Sequence, residues 1–312
     1  MVLCHGLFQP DGQPVDSVRS AQLGCGGQLI IGDDGPVLYD CHQHLASLAL
    51  PVIRICGCHL PSFWPDGFCL SGVNNRYSNG GMILIRSMLF NLLFYSSTAV
   101  LAVALLPCLL RGDWARAAGK FWGWYTSRLL YIAGLSHQIS GQTHKSRQVI
   151  YAVKHQSAWE TLVLYWELDA PVIVLKRELL RLPILGWFFL RSGCIAVDRK
   201  AGMAALKMMR QQAVIAASSG RSVLIFPQGT RVATGQSAPY QIGVFSLYQA
   251  TGLDVVPVAL NSGRFWARNG FIKRPGVIAV RFLPVLGGGL PRAQFMTSLE
   301  EAIETEMMRL DG

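Results

Sequence analysis

Charge is scarce in this chain. Asp, Glu, Lys and Arg make up 15% of its 312 residues and apolar residues 51%, which is richer in hydrophobes than an ordinary soluble enzyme and points to a membrane. Acidic residues are scarcest beyond residue 81: residues 1–81 hold 3 Lys+Arg and 6 Asp+Glu, net −3, whereas the remainder holds 25 and 12, net +13. That surface suits an anionic partner. Because no Lys/Arg-rich stripe or RNA-binding signature occurs, anionic lipid or a phosphorylated substrate is expected and nucleic acid is not. Cysteine is nearly missing from the same region, with Cys108 and Cys194 against six in residues 1–81, so disulfides are not part of its design. Cys56-Gly57-Cys58-His59, with His42 and His44 upstream, lacks the paired cysteines of a zinc site, and no metal is expected. A Gly-x-Ser-x-Gly elbow is absent too, which removes the nucleophile turn of an acyl-enzyme hydrolase.

Residues 1–81 show no sustained helical or strand period and end in the turn-rich run 71–81. The expectation is a disordered stretch, or one outside the native protein if translation starts at Met82. Met88 to Leu110 is 23 residues without a charge, enough to cross a bilayer core of about 30 Å as a helix. Arg111, Arg116 and Lys120 follow it and only Arg86 closely precedes it, so a cytoplasmic face is expected for what comes next. Trp114 to Leu135 then mixes aromatic and basic residues, fitting an interfacial helix or a helix of the main core. Residues 82–136 are thus read as membrane-anchoring helices and 137–312 as the main domain.

From residue 148, short apolar runs alternate with helical stretches. Strands are expected over 148–153, 171–175, 194–198, 222–226, 254–260 and 277–283, and helices over 158–168, 202–219, 242–251 and 292–310. This alternation predicts an α/β fold with a largely parallel sheet flanked by helices.

The chemistry is concentrated in Lys154-His155-Gln156-Ser157-Ala158-Trp159-Glu160, directly after the first of these strands. Ser157 with Glu160 is a capping-box pattern that starts a helix at Ser157 and leaves His155 in the turn before it. There the ring can fold back on Glu160, so that a carboxylate steadies an imidazole working as general base. Glu160 as a plain helix cap is the alternative.

That segment, Val197-Asp198-Arg199, Phe226-Pro227-Gln228-Gly229-Thr230-Arg231 and Val255-Val256-Pro257-Val258-Ala259-Leu260 resemble, in order and spacing, the four blocks of the glycerolipid acyltransferase family, over residues 82–312. The resemblance implies acylation of a lysophospholipid, foremost lysophosphatidate, from acyl-CoA or acyl-carrier protein, without a cofactor. It makes His155 and Glu160 the catalytic pair, Glu160 standing where the family usually has Asp. It implies that Lys176 and Arg231 bind the substrate phosphate, with Arg199, Gln228, Gly229 and Thr230 lining the acceptor site. Gln228 replaces the family's usual Glu, and the Gly229 N–H is a candidate oxyanion donor. Structural roles stay open for several of these: a surface lysine at 176, a solvated strand end at Arg231, a local Asp198–Arg199 pair. The other readings are a different lysolipid acceptor, such as a lyso-ornithine lipid, and a catalytically silent membrane-binding protein.

Overall fold

The computed structural model describes residues 19–22, 28–32, 35–38 and 80–311, and the chain divides into two units at Tyr77/Ser78. In the first unit three strands, β1 (Arg19–Gln22), β2 (Gln28–Gly32) and β3 (Gly35–Leu38), pair antiparallel. The rest of that unit, including the Cys56–His59 cluster, lies outside the described residues.

The second unit opens with α1 (Gly80–Ala104), which is long and apolar enough to cross a membrane. The uncharged run seen in the sequence straddles this helix and the 3-10 turn Leu106–Leu110, because Pro107 lacks the N–H that another helical turn requires. One face of α1 is fixed on the domain. Ser87 and Asn91 are buried against Lys273, whose ammonium donates to Asn91 Oδ1 at 3.3 Å and to the carbonyls of Gly270 and Phe271. Phe90 packs edge-on against Trp266. The other face leaves Leu92, Tyr95, Val100 and Val103 exposed.

Helix α2 (Gly112–Leu129) follows and buries its small residues Ala115, Ala118 and Gly123. These let it lie closely on α3 (Trp159–Glu167): a Cβ on Gly123 would sit 2.4 Å from the Leu162 carbonyl oxygen. Trp114, Phe121 and Trp124 are exposed, as an interfacial helix requires.

The core is a seven-stranded sheet. Its strands are β4 (Leu135–Ser140), β5 (Ile150–Val153), β6 (Val172–Lys176), β7 (Ile195–Val197), β8 (Val223–Ile225), β9 (Val255–Leu260) and β10 (Gly276–Phe282), in the order β4-β10-β9-β5-β8-β6-β7. The strands from β9 to β7 run parallel, while β10 meets β9 antiparallel and pairs parallel with β4. The α/β, largely parallel architecture expected from the sequence is what forms, with all six expected strands present. Besides α3, the covering helices are α4 (Leu185–Arg191), α5 (Gly202–Ser218), α6 (Gly243–Thr251), the short α7 (Ser262–Phe265) and α8 (Arg292–Asp311). Two apolar layers result. Tyr151 and Val153 of β5 face one with α1 to α3, and Ile150 and Ala152 face the other with α5, α6 and α8, as the two-residue period of a strand dictates.

Gly123→Ala should cost stability, because the added methyl meets backbone that cannot rotate away. An overpacked methyl costs about 1–3 kcal/mol, read as a drop of several degrees in Tm for the detergent-solubilised chain. An unchanged Tm would mean that α2 does not rest on α3.

Candidate active site

The parallel strands β5, β8, β6 and β7 bring their carboxyl ends to one edge of the sheet, the usual place for a site in such folds. Three of them deliver an expected block: His155 follows β5, Phe226 to Arg231 follow β8 and Arg199 follows β7; β6 ends in Lys176, and the fourth block, Val255–Leu260, is β9 itself.

His155 sits in the turn between β5 and α3, its side chain 12% exposed. Its ring lies flat on that of Phe226, centroids 3.8 Å apart and planes 16° from parallel. Its carbonyl accepts from the Val232 N–H at 2.8 Å, which ties the turn to the loop after β8. Nδ1 makes no hydrogen bond and points at Glu160, 3.7 Å from Oε2. That is an ion-pair distance, longer than a hydrogen bond.

Glu160 is fully buried. Its carboxylate accepts from the Gln156 N–H at 3.0 Å, the Ser157 N–H at 3.0 and 3.1 Å, the Ser157 hydroxyl at 3.2 Å and the Ser262 hydroxyl at 2.5 Å. Burial opposes ionisation, yet the facing His155 ring, Ser262 and the Gln156 N–H outweigh it and hold the carboxyl below its ordinary value. Ser157 Oγ accepts from the Trp159 N–H at 2.9 Å, so the reciprocal capping pair exists, although α3 starts at Trp159 rather than at Ser157.

The loop after β8 supplies the rest. Gln228 is buried, donates to the Ala238 carbonyl at 3.4 Å and leaves Oε1 without a partner. Gly229 has φ +69°, and a Cβ there would sit 3.5 Å from Arg199 Cζ, so the guanidinium lies against the glycine and joins two blocks. The Gly229 N–H already donates to the Phe226 carbonyl at 2.8 Å, which withdraws it as an oxyanion donor. Thr230 is exposed and Arg231 half-buried. Neither the Arg231 nor the Arg199 guanidinium has a carboxylate partner among the described residues. Asp198 turns instead to Arg177 at 3.4 Å and accepts from the Lys200 N–H, so no local pair with Arg199 forms. Lys176 lies on the same edge but is exposed and pairs with Glu178 at 3.1 Å.

Two contributors were not anticipated. Ser262 reaches Glu160 from beyond β9, and next to it the Gly263 N–H donates to Gln156 Oε1 at 3.0 Å. The only sequence signal is the polar pair Asn261-Ser262 closing a fully apolar strand. Phe226 belongs to a recognised block, but nothing in its position along the chain announces a stack on the histidine.

A cavity of about 130 Å³ is lined almost wholly by apolar groups from α1 to α4 and β6, among them Leu101, Ala102, Leu162, Ile173 and Phe189. Thr161 and Leu162, which line it, directly follow Glu160 in the chain.

Residues 136–261 match the family model described as Acyltransferase. The chain is 34% identical over 223 residues to the 1-acyl-sn-glycerol-3-phosphate acyltransferase of Pseudomonas aeruginosa, covering 67% of this chain and 84% of that one. It is 27% identical over 158 residues to the Limnanthes alba protein of the same name, where it spans only 56% of the relative's length. The solved structure of the 1-acyl-sn-glycerophosphate (LPA) acyltransferase PlsC from Thermotoga maritima shares the fold, with a TM-score of 0.61 at 18% identity over 74% of this chain and 98% of that one. With the blocks converging on one sheet edge and the Pseudomonas likeness sustained over most of that protein, the chain belongs to the 1-acyl-sn-glycerol-3-phosphate acyltransferase family.

Proposed function

We propose that this chain transfers a fatty acyl group from a thioester, acyl-CoA or acyl-carrier protein, to the free hydroxyl of lysophosphatidate, forming phosphatidate for phospholipid biosynthesis. The observation that carries the reading is His155, braced between Phe226 and a buried carboxylate on the edge that also holds Arg199 and Arg231. His155 takes the hydroxyl proton through Nε2 as the oxygen attacks the thioester carbonyl. The tetrahedral adduct then breaks its C–S bond, and the departing sulfur receives the proton from the imidazolium. Glu160 stabilises that imidazolium without taking its proton. A thioester carries its own activation, so the reaction as written needs no metal or organic cofactor.

Arg199 and Arg231 would hold the acceptor phosphate, the fork of a guanidinium matching two of its oxygens. Lys176, paired with Glu178, would add charge at longer range. Gln228 Oε1, which is left without a partner, and the Thr230 hydroxyl would bond the polar part of the acceptor. The apolar cavity between α1 to α4 would take the acyl chain.

The membrane reading rests on α1 and α2. The domain holds this hairpin at both ends: Lys273 ties Ser87 and Asn91, and Arg191 donates to the carbonyls of Leu109 and Leu110. A helix tied at both ends to one globular unit cannot place those ends on opposite sides of a bilayer. We therefore read α1 as lodged in one leaflet, with Arg111, Arg116 and Lys120 favouring the anionic cytoplasmic face.

Three measurements test this. In a radiolabelled-acyl assay with lysophosphatidate, His155→Ala should lose on the order of 10²- to 10⁴-fold in kcat; wild-type turnover surviving in the variant would remove the base. Arg231→Ala should raise KM for lysophosphatidate at least about tenfold, as expected of a lost charged hydrogen bond, and leave the donor KM unchanged. A small effect would favour an acceptor without a phosphomonoester, such as a lyso-ornithine lipid. Glu160→Gln tests the depressed carboxyl. Such a group adds stability above its ordinary value of 4.5 and loses it as pH falls through the lower folded value. The stability gap between wild type and variant, measured by denaturant unfolding, should therefore be full at pH 7 and close on acidification; a gap independent of pH would contradict it.

A further inference from the structure

Lys154 precedes the catalytic histidine and is 2% exposed. Strand alternation turns it to the opposite face of the sheet from His155, where its ammonium meets Glu304 of α8 at 2.6 and 2.8 Å, Oε1 and Oε2 respectively. The same carboxylate accepts from the Tyr240 hydroxyl at 2.8 Å. Burial first, and then the Glu304 charge, push the Tyr240 phenol well above its ordinary range, which keeps it a donor. Tyr240 stands at the far end of the loop that begins at Phe226, and the next residue donates its N–H to the Pro227 carbonyl at 2.8 Å. One carboxylate thus grips both the turn that carries the base and the loop that carries Gln228 to Arg231.

Removing the carboxylate from such a grip is costly, since it leaves the buried Lys154 ammonium unpaired. Glu304 also lies outside the matched residues 136–261 and about forty positions beyond the last recognised block, so none of the four blocks includes it. Resting on the acyl transfer proposed above, we infer that Glu304 is a positioning residue: it sets the spacing between His155 and the phosphate-binding loop, so that the base meets the acceptor hydroxyl while the arginines hold its phosphate.

The test compares Glu304→Gln and Tyr240→Phe with wild type in the full chain in detergent. Glu304→Gln should lower kcat about tenfold and raise the lysophosphatidate KM, with the acyl-CoA KM unchanged, because a charged hydrogen bond is lost on each side. Tyr240→Phe releases only the loop and should raise the acceptor KM with little change in kcat. Amide hydrogen exchange supplies a readout independent of turnover: Glu304→Gln should speed exchange in residues 154–160 and 227–241 together. Wild-type kcat and KM per folded molecule, or faster exchange confined to α8, would overturn the inference. If Glu304→Gln does not fold, Tyr240→Phe decides, and an unchanged acceptor KM together with unchanged exchange in 227–241 overturns it. A wild type that fails to acylate lysophosphatidate counts against the proposed reaction alone, since the exchange pattern still reports on the grip.

Discussion

The site depends on keeping a carboxylate ionised in a place with no access to water. An unpaired anion there would protonate or unfold its surroundings, and Glu160 avoids both by collecting donors from its own turn and from Ser262. The same bonds that solvate the charge fix the turn after β5, and so fix the histidine. This also shows how Glu can fit where the family usually has Asp. The longer side chain folds back far enough to accept the N–H groups of Gln156 and Ser157, and its outer oxygen still faces the imidazole.

Around that anion the sheet acts as a ruler. Four parallel strands ending on one edge place His155, the β8 loop and two arginines in a row whose spacing is set by backbone pairing rather than by flexible side chains. Phe226 adds a flat wall that removes one face of the histidine ring from solvent and leaves it little freedom to rotate. Among the described residues the two guanidinium groups have no carboxylate partner, the nearby Asp198 and Glu178 being paired with Arg177 and Lys176, which suits an anionic substrate.

The parallel core was legible because buried strands read as unbroken runs of Val, Ile and Leu and the helices between them carry their own period. Strand β4 was not. Leu135-Ser136-His137-Gln138-Ile139-Ser140 has too few apolar residues to announce itself and is a strand because β10 offers it a ladder. Helix α4 was hidden by Pro183 and by its seven-residue length. Within the site, the residues local to each block could be named in advance. What escaped was contact between blocks: Ser262 with Glu160 is a pairing across 102 positions, and Arg199 against Gly229 joins loops from two strands. The reverse error, the Gly229 N–H as oxyanion donor, came from treating a turn as open when its own hydrogen bond closes it.

Helix α1 serves two masters on adjacent residues. Leu101 and Ala102 line the cavity, while Val100 and Val103 on either side of them face outward. On the proposed function, a change at 101 or 102 would alter the room left for a hydrocarbon tail, and a change at 100 or 103 would alter only how the protein sits among its neighbouring lipids. On that reading, neighbouring codons on a single helix would drift under separate selection, one pair by the fatty acids a cell makes and the other by the bilayer it keeps.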